Sequence, residues 1–286
     1  MPKNYELQET DLGIDLIVTN EWSSQAAAEL VAGNADGLVL NYARGFRERS
    51  LDFLAGLPIR RLNVLARTIK NLDPIYSLAE TLEDLELQTA PTEVHLDLLP
   101  RVVRLGATWS QVVDSISALP RLQSLFALSY SESSLDPLRF NRALRVIRMK
   151  DRPSVATLEG IEFFPDLEQL DLSLAPISSL APLQSAAPTI GHLELESCKL
   201  IQTLDGVEHL RELRTLNLGD VGPITSLQPI SELTNLERVY LWGSTVISDA
   251  DLSPLANLPK LTTLRMTSRR PYHPSVAEIK AKIGDN

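Results

Sequence analysis

The chain has 286 residues, of which 44% are hydrophobic and 5% aromatic, and a net charge of −10 at neutral pH. That charge argues against a general nucleic-acid or anionic-membrane binder, since either needs a basic surface facing phosphate; it suits a protein partner, and a basic one if charge decides. The single cysteine, Cys198, excludes an intrachain disulfide, and no apolar run reaches the roughly 18 residues that a membrane span needs. Residues 1–19 lack the basic-then-apolar pattern of a signal peptide, and no Asn-x-Ser/Thr sequon occurs. The expected compartment is the cytoplasm, with export by a dedicated, non-hydropathic signal as the alternative.

Near the start, residues 21–34 contain Gln25-Ala26-Ala27-Ala28-Glu29-Leu30-Val31 and read as a helix that opens a stack. Short alternating L-x-L segments then follow one another. Aligned on the first apolar residue they begin at Leu16, Leu38, Leu62, Leu85, Leu105, Leu125, Ile147, Leu170, Leu193, Leu216, Val239 and Leu264. The alternation predicts short strands with two residues turned inward. From Ile147 to Val239 every step is 23 residues; two steps of 20 precede that stretch, and the last step is 25, with an insertion around Ser248–Asp251. Between strands the chain returns through L-x-P-L segments, Leu72-Asp73-Pro74-Ile75, Leu135-Asp136-Pro137-Leu138, Leu180-Ala181-Pro182-Leu183, Leu227-Gln228-Pro229-Ile230 and Leu252-Ser253-Pro254-Leu255. Proline fixes φ and donates no hydrogen bond, so these predict 3₁₀ turns and brief helices. After Met266, Ser275 is a candidate N-cap, and Val276, Ile279 and Ile283 share one face of a helix that would cover the last open turn.

The sharpest copy is Ile190-Gly191-His192-Leu193-Glu194-Leu195-Glu196-Ser197-Cys198-Lys199-Leu200, which reads aliphatic-x-x-L-x-L-x-x-C-x-L. This is the leucine-rich-repeat signature, with Cys in the slot that takes Asn or Cys. The chain therefore resembles a leucine-rich-repeat protein, most like the bacterial internalin-like 22-residue class. The resemblance implies an α/β fold: a right-handed solenoid of β/α or β/3₁₀ turns, horseshoe-shaped, with a parallel sheet on its concave side. Read this way, the chain is one domain over 1–286, with an N-terminal capping turn and helix over 1–34, repeats over 35–266 and a C-terminal capping tail and helix over 267–286. Twelve copies exceed the three or so that stacking requires. One departure stands out: the Asn slot holds Ala43, Ala90, Ser110, Ala175, Cys198 and Ser244, so a buried Asn ladder is missing.

No catalytic or metal-ligating constellation and no cofactor motif is expected. His95, His192, His209 and His273 have no partner at metal-ligand spacing, and Cys198, six residues from His192, falls in an inward packing slot. Function is expected on the concave face instead, in three clusters. Arg238, Tyr240, Trp242 and Arg265 lie on the last two strands and are of the types enriched at binding hot spots, with Gly219 leaving room beside Trp242. Asp171, Glu194 and Glu196 form an acidic stripe, which Arg148 and Lys150 one turn earlier would partly neutralise. Phe126, Leu128 and Tyr130 form an apolar patch. The expected function is a non-catalytic, monomeric protein-binding module using the concave sheet, of an inhibitor or immunity type, or a host-directed effector. The alternatives are a small-ligand protein or enzyme with a pocket near Trp242, and a structural homo-oligomer joined through the apolar patch.

Overall fold

The computed structural model describes residues 3–284. The chain packs as two compact units that divide between Leu125 and Phe126, where the sequence reads as one domain. The outermost residues of both expected caps, Met1, Pro2, Asp285 and Asn286, lie outside the described residues.

In the first unit, β1 (Tyr5–Thr10) and β2 (Gly13–Val18) form an antiparallel hairpin. Helix α1 (Ser24–Val31) follows, with Ser23 capping it by accepting from the Ala26 N–H and with Ala26 and Leu30 buried. Strands β3 (Gly37–Asn41), β4 (Arg61–Leu65), β5 (Asp84–Gln88) and β6 (Arg104–Thr108) then add in parallel to β2, and a short helical turn α2 (Trp109–Val112) leaves β6. The anchor residues meet one another across the sheet: Leu16 faces Leu38, Leu38 faces Leu62, Leu62 faces Leu85 and Leu85 faces Leu105. All are buried, so the alignment made on the sequence is the strand register of this unit. The hairpin strand β1 is not expected from the repeat pattern. It is held by its antiparallel pairing with β2, and Arg61 braces the hairpin from the turn and β2: its guanidinium donates to the Leu12 and Ile14 carbonyls at 2.7 and 3.1 Å and to Asp15 and Asp36, each at 2.8 Å. Burial alone would disfavour this cation, but the two carboxylates outweigh it and raise its pKa.

Strand β7 (Ser124–Leu128) begins in the first unit and ends in the second. The second unit continues with β8 (Val146–Lys150), β9 (Gln169–Ser173), β10 (His192–Glu196), β11 (Thr215–Asn217), β12 (Pro223–Ile224), β13 (Arg238–Leu241), β14 (Val246–Ile247), α3 (Ser253–Ala256), β15 (Thr263–Met266) and α4 (Val276–Gly284). Ile147, Leu170, Leu193, Leu216, Val239 and Leu264 pair in that order along β8, β9, β10, β11, β13 and β15, all parallel and all buried. β12 and β14 make a separate two-stranded sheet. Four of the L-x-P-L segments are 3₁₀ turns with proline in their first two positions, and the fifth is α3.

The expected C-terminal cap forms, with a reciprocal N-cap. The Ser275 hydroxyl accepts from the Glu278 N–H at 3.2 Å while Glu278 accepts from the Ser275 N–H at 2.7 Å. Val276 and Ile279 are buried. The 25-residue last step receives the tail: the backbones of Ala250 and Leu252 exchange hydrogen bonds with His273, and the hydroxyl of the buried Tyr272 accepts from the Ile247 N–H at 3.1 Å.

Two backbone features recur in the second unit. Gly206 opens a 3₁₀ turn at φ 108°, and a Cβ there would stand 2.2 Å from the Leu180 carbonyl oxygen, one turn back. Ser129, Asp151, Leu174, Ser197 and Asp220, each four residues past a strand anchor, turn the corner at φ between 54° and 63°. Leu174 is the least suited of these, since a bulky residue has no local hydrogen bond to offset the left-handed conformation. We expect Gly206→Ala to destabilise by about 1–3 kcal/mol through backbone conformation alone, and by more with the clash. Leu174→Asn should stabilise by about 1 kcal/mol. Denaturant unfolding of the two variants should move the midpoint in opposite directions.

Candidate functional site

The register decides which side chains leave the core. On each strand the residues before, between and after the two inward positions point to the outer face of the sheet. In the second unit this face carries the row Arg148, Asp171, Glu194, Asn217, Tyr240 and Arg265, in which each successive pair from Asp171 onward occupies registered positions on adjacent strands.

The acidic stripe is present but is occupied from within the chain. Asp171 is only 4% exposed; it accepts from the Gln169 amide at 2.7 Å and lies 3.2 Å from His192 Nε2 and 3.4 Å from Arg148 Nε. Glu194 accepts from Lys150 Nζ at 2.8 Å and from the Asn217 amide at 3.1 Å. Lys150 reaches further to the Ser173 hydroxyl at 2.6 Å. Glu196 is half-buried, and its carboxylate makes no hydrogen bond or ion pair among the described residues. Two of the three carboxylates are thus spent on holding neighbouring strands together.

The aromatic cluster does converge. His192, Glu194, Thr215, Asn217, Arg238, Tyr240, Trp242 and Arg265 line an open depression of about 490 Å³. Tyr240 and Trp242 are half-buried, while Arg238 and Arg265 are exposed. The space beside Gly219 is filled: a Cβ there would stand 2.3 Å from the Trp242 ring, so the indole lies directly on the glycine backbone and is fixed by it. Only a residue without a side chain permits that stacking. Arg238 donates to the Thr215 hydroxyl at 3.0 Å and pairs with Glu237 at 3.6 Å. The C-terminal tail, which folds back, docks on residues 247–258.

The apolar patch is smaller than expected. Phe126 and Leu128 lie on the outer face, half-buried, with the Arg148 guanidinium over the Phe126 ring at 5.5 Å. Tyr130 is fully buried and donates to the Ser134 carbonyl at 2.9 Å; burial raises the pKa of its phenol. The correction has a plain cause. Tyr130 is five residues past its strand anchor, which is the same inward slot that Cys198 fills on its own turn, so the repeat rule that buries Cys198 buries Tyr130.

That slot also shows how the missing Asn ladder is replaced. The Cys198 thiol lies 3.7 Å from the Leu172 and Glu196 carbonyls. Thr245, one residue past the slot, donates to the Leu218 carbonyl at 2.6 Å and accepts from the Val221 N–H at 3.2 Å. In the first unit Gln111, again one residue past the slot, gives its amide protons to Thr89 and to the Ala90 and Thr92 carbonyls at 3.0–3.2 Å. Each satisfies turn carbonyls that would otherwise be buried unpaired.

Among the described residues, no group of three or more His, Cys, Asp or Glu side chains is placed to hold a metal ion, and no helix is long and apolar enough to cross a membrane. The Cys198 thiol is buried with its pKa pushed up to about 11, and its polar contacts are the Leu172 and Glu196 carbonyls rather than His192, so the geometry does not pair a nucleophile with a base.

No protein-family model and no curated protein matches the chain. Solved structures do. An internalin, InlF, from Listeria monocytogenes superposes with a TM-score of 0.59 at 22% identity, over 73% of this chain and 60% of its own length. A leucine-rich-repeat protein from Leptospira interrogans gives 0.60 at 19% identity, over 88% and 71%. The functional domain of InlJ from Listeria monocytogenes, which includes a cysteine ladder, gives 0.51 at 17% identity, over 89% and 62%. The chain thus spans less than two thirds of the two Listeria structures. At these identities the likeness establishes the fold: this chain is built as a leucine-rich-repeat protein and is similar to bacterial internalins.

The buried thiol yields a direct check. Because burial favours the neutral form, the pKa is higher in the folded state, so the thiol's contribution to stability is complete below its ordinary 9.0 and is lost as the pH rises through about 11. At pH 8 the native protein should react with iodoacetamide far more slowly than the urea-unfolded chain, and mass-spectrometric quantification of alkylated Cys198 should show it.

Proposed function

We propose that the protein is a non-catalytic, monomeric protein-binding module, and that its partner sits over Arg238, Tyr240, Trp242 and Arg265 on the outer sheet face of the second unit. Support comes first from the fold, which presents many side chains on a stiff sheet at little ordering cost. The observation that carries the placement is the Trp242 indole lying on Gly219. A large aromatic surface, immobilised before binding and ringed by polar groups, has the character of an interface hot spot. The intramolecular pairing of Asp171 and Glu194 gives these two a supporting place at the rim, beside Glu196. Phe126 and Leu128, partly covered by Arg148, are secondary contacts. An inhibitor or immunity-type role in the cytoplasm is the reading we attach to such a module.

The depression also favours a second reading, a small-ligand site. Its volume of about 490 Å³ falls within the range of ligand pockets, roughly 300–1,000 Å³. However, it is open and lined mainly by charged and polar groups, whereas such pockets enclose most of the ligand within apolar walls. The protein-partner reading is therefore preferred.

Affinity capture from the native cell's lysate, read by mass spectrometry, tests it. A bound protein should be retained by the wild type and lost by Tyr240→Ala/Trp242→Ala, with affinity reduced at least about 30-fold, as truncation of a hot spot costs about 2 kcal/mol or more. Equal retention by both forms would move the site off this cluster. A thermal shift with nucleotides or sugars that disappears in the double variant would instead favour the small-ligand reading.

A further inference from the structure

At the Arg238–Arg265 end of the sheet face one positive charge, that of Arg265, is not neutralised by the chain itself, whereas Arg238 pairs with Glu237. On this face of the second unit Arg148 lies 3.4 Å from Asp171 and Lys150 donates to Glu194, each across strands, while the Glu196 carboxylate has no cation beside it among the described residues. Arg265 is the cation left unpaired. It is exposed, and its guanidinium makes no ion pair or hydrogen bond among the described residues. Its registered neighbour is Tyr240, and the next two positions in the row are Asn217 and Glu194. Glu194 is three strands away, about 14 Å at the usual strand spacing, beyond the screening length of about 8 Å at physiological salt, and it is already held by Lys150 and Asn217. The sequence around Arg265 leans the same way, although the other basic residues lie off this face. Residues 253–286 contain six basic and two acidic side chains in a chain whose net charge is −10. Of those two acids, Glu278 is committed to the Ser275 cap.

We propose that this end of the face binds an acidic protein segment, one that places an Asp or Glu carboxylate against Arg265 beside the Tyr240 ring. The inference rests on the protein-binding reading above and reverses the basic partner suggested by the overall charge. A guanidinium can hold a carboxylate through two parallel hydrogen bonds. Neither the Tyr240 hydroxyl nor the Trp242 indole N–H is taken by a hydrogen bond among the described residues, so both are free to add to the anion's shell or to its flanking contacts. Arg238, held by Thr215 and Glu237, contributes to the local field rather than a second free cation. One unpaired arginine beside aromatics suits a carboxylate in a mixed apolar and acidic segment. A nucleic-acid backbone would need a row of cations.

The test uses three probes, deca-glutamate, deca-lysine and a ten-nucleotide oligothymidylate, each titrated at low salt into the full chain with isotope labelling and read by amide and indole chemical shifts. Deca-glutamate should shift the resonances of Tyr240, Trp242 and Arg265, and these shifts should fall at least fivefold in Arg265→Gln, whose exposed position leaves folding unaffected. Deca-lysine should leave them in place. The proposal fails if deca-glutamate shifts none of them, if Arg265→Gln shifts as the wild type does, or if oligothymidylate perturbs the cluster more strongly. The two ideas separate cleanly. A captured protein that depends on Tyr240 and Trp242 but binds Arg265→Glu unchanged would sink the acidic-segment proposal and leave the protein-binding reading standing.

Discussion

Strand register is the constraint on which the rest depends. In both units the first apolar residue of one strand faces the first apolar residue of the next, as Leu38 faces Leu62 and Leu193 faces Leu216. Because side chains alternate with a period of two, a slip of one residue would expose every buried anchor and bury every outward charge. With two inward residues per strand and five residues or fewer in each from β3 to β15, no strand could tolerate that loss alone. The pairing therefore commits the whole outer face at once, and the location of Asp171, Tyr240 or Arg265 follows from that of Leu170, Val239 and Leu264.

The same register explains why charge on this face is mostly spent inside the chain. Parallel neighbours place equivalent positions about 4.8 Å apart, so a basic residue one strand from an acidic one is within reach without distortion. Lys150 spans two strands to reach Glu194, passing Ser173 on the way. Such pairs help fix neighbouring turns, though half-exposed ones contribute little individually. Their larger consequence is what they leave over. Along the row from Arg148 to Arg265 that matching ends at Arg265, beside Tyr240, and this is where the proposed site lies.

Most of this architecture was legible in the residues because the leucine pattern is a direct image of burial. The anchors, the proline-marked turns, the inward Cys198 and the Ser275 cap all follow from spacing and from the chemistry of single residues. What was not legible depends on contacts between distant segments. The hairpin strand β1 carries no repeat signature, and the turn that leads from it is braced by Arg61, about fifty residues downstream. The tail's docking at Ala250 and Leu252 was signalled only as an insertion. Of the candidate site residues, Tyr130 was misplaced although its position relative to Leu125 marked it as inward; its aromatic type obscured a slot usually filled by Asn or Cys. The expected room beside Gly219 was real, but the neighbouring Trp242 occupies it.

The replaced Asn ladder shows how far the fold can drift while keeping its geometry. What the corner after each strand requires is a donor for carbonyls that the turn buries, and a thiol at Cys198, a hydroxyl at Thr245 and a carboxamide at Gln111 each supply one from slightly different positions. Where the slot holds only Ala175 or Val221, neighbouring turns must carry the load, as Thr245 does for the Val221 N–H. The corner's left-handed residue is likewise met by Ser129, Asp151, Ser197 and Asp220, with Leu174 the strained exception. Because the backbone solution is fixed and the side chains that satisfy it are interchangeable, sequence identity can fall near 20% while the fold is kept. The outer face is then free to change independently, so likeness of fold to other repeat proteins carries little about the partner, and Trp242, Tyr240 and Arg265 have to be read on their own chemistry.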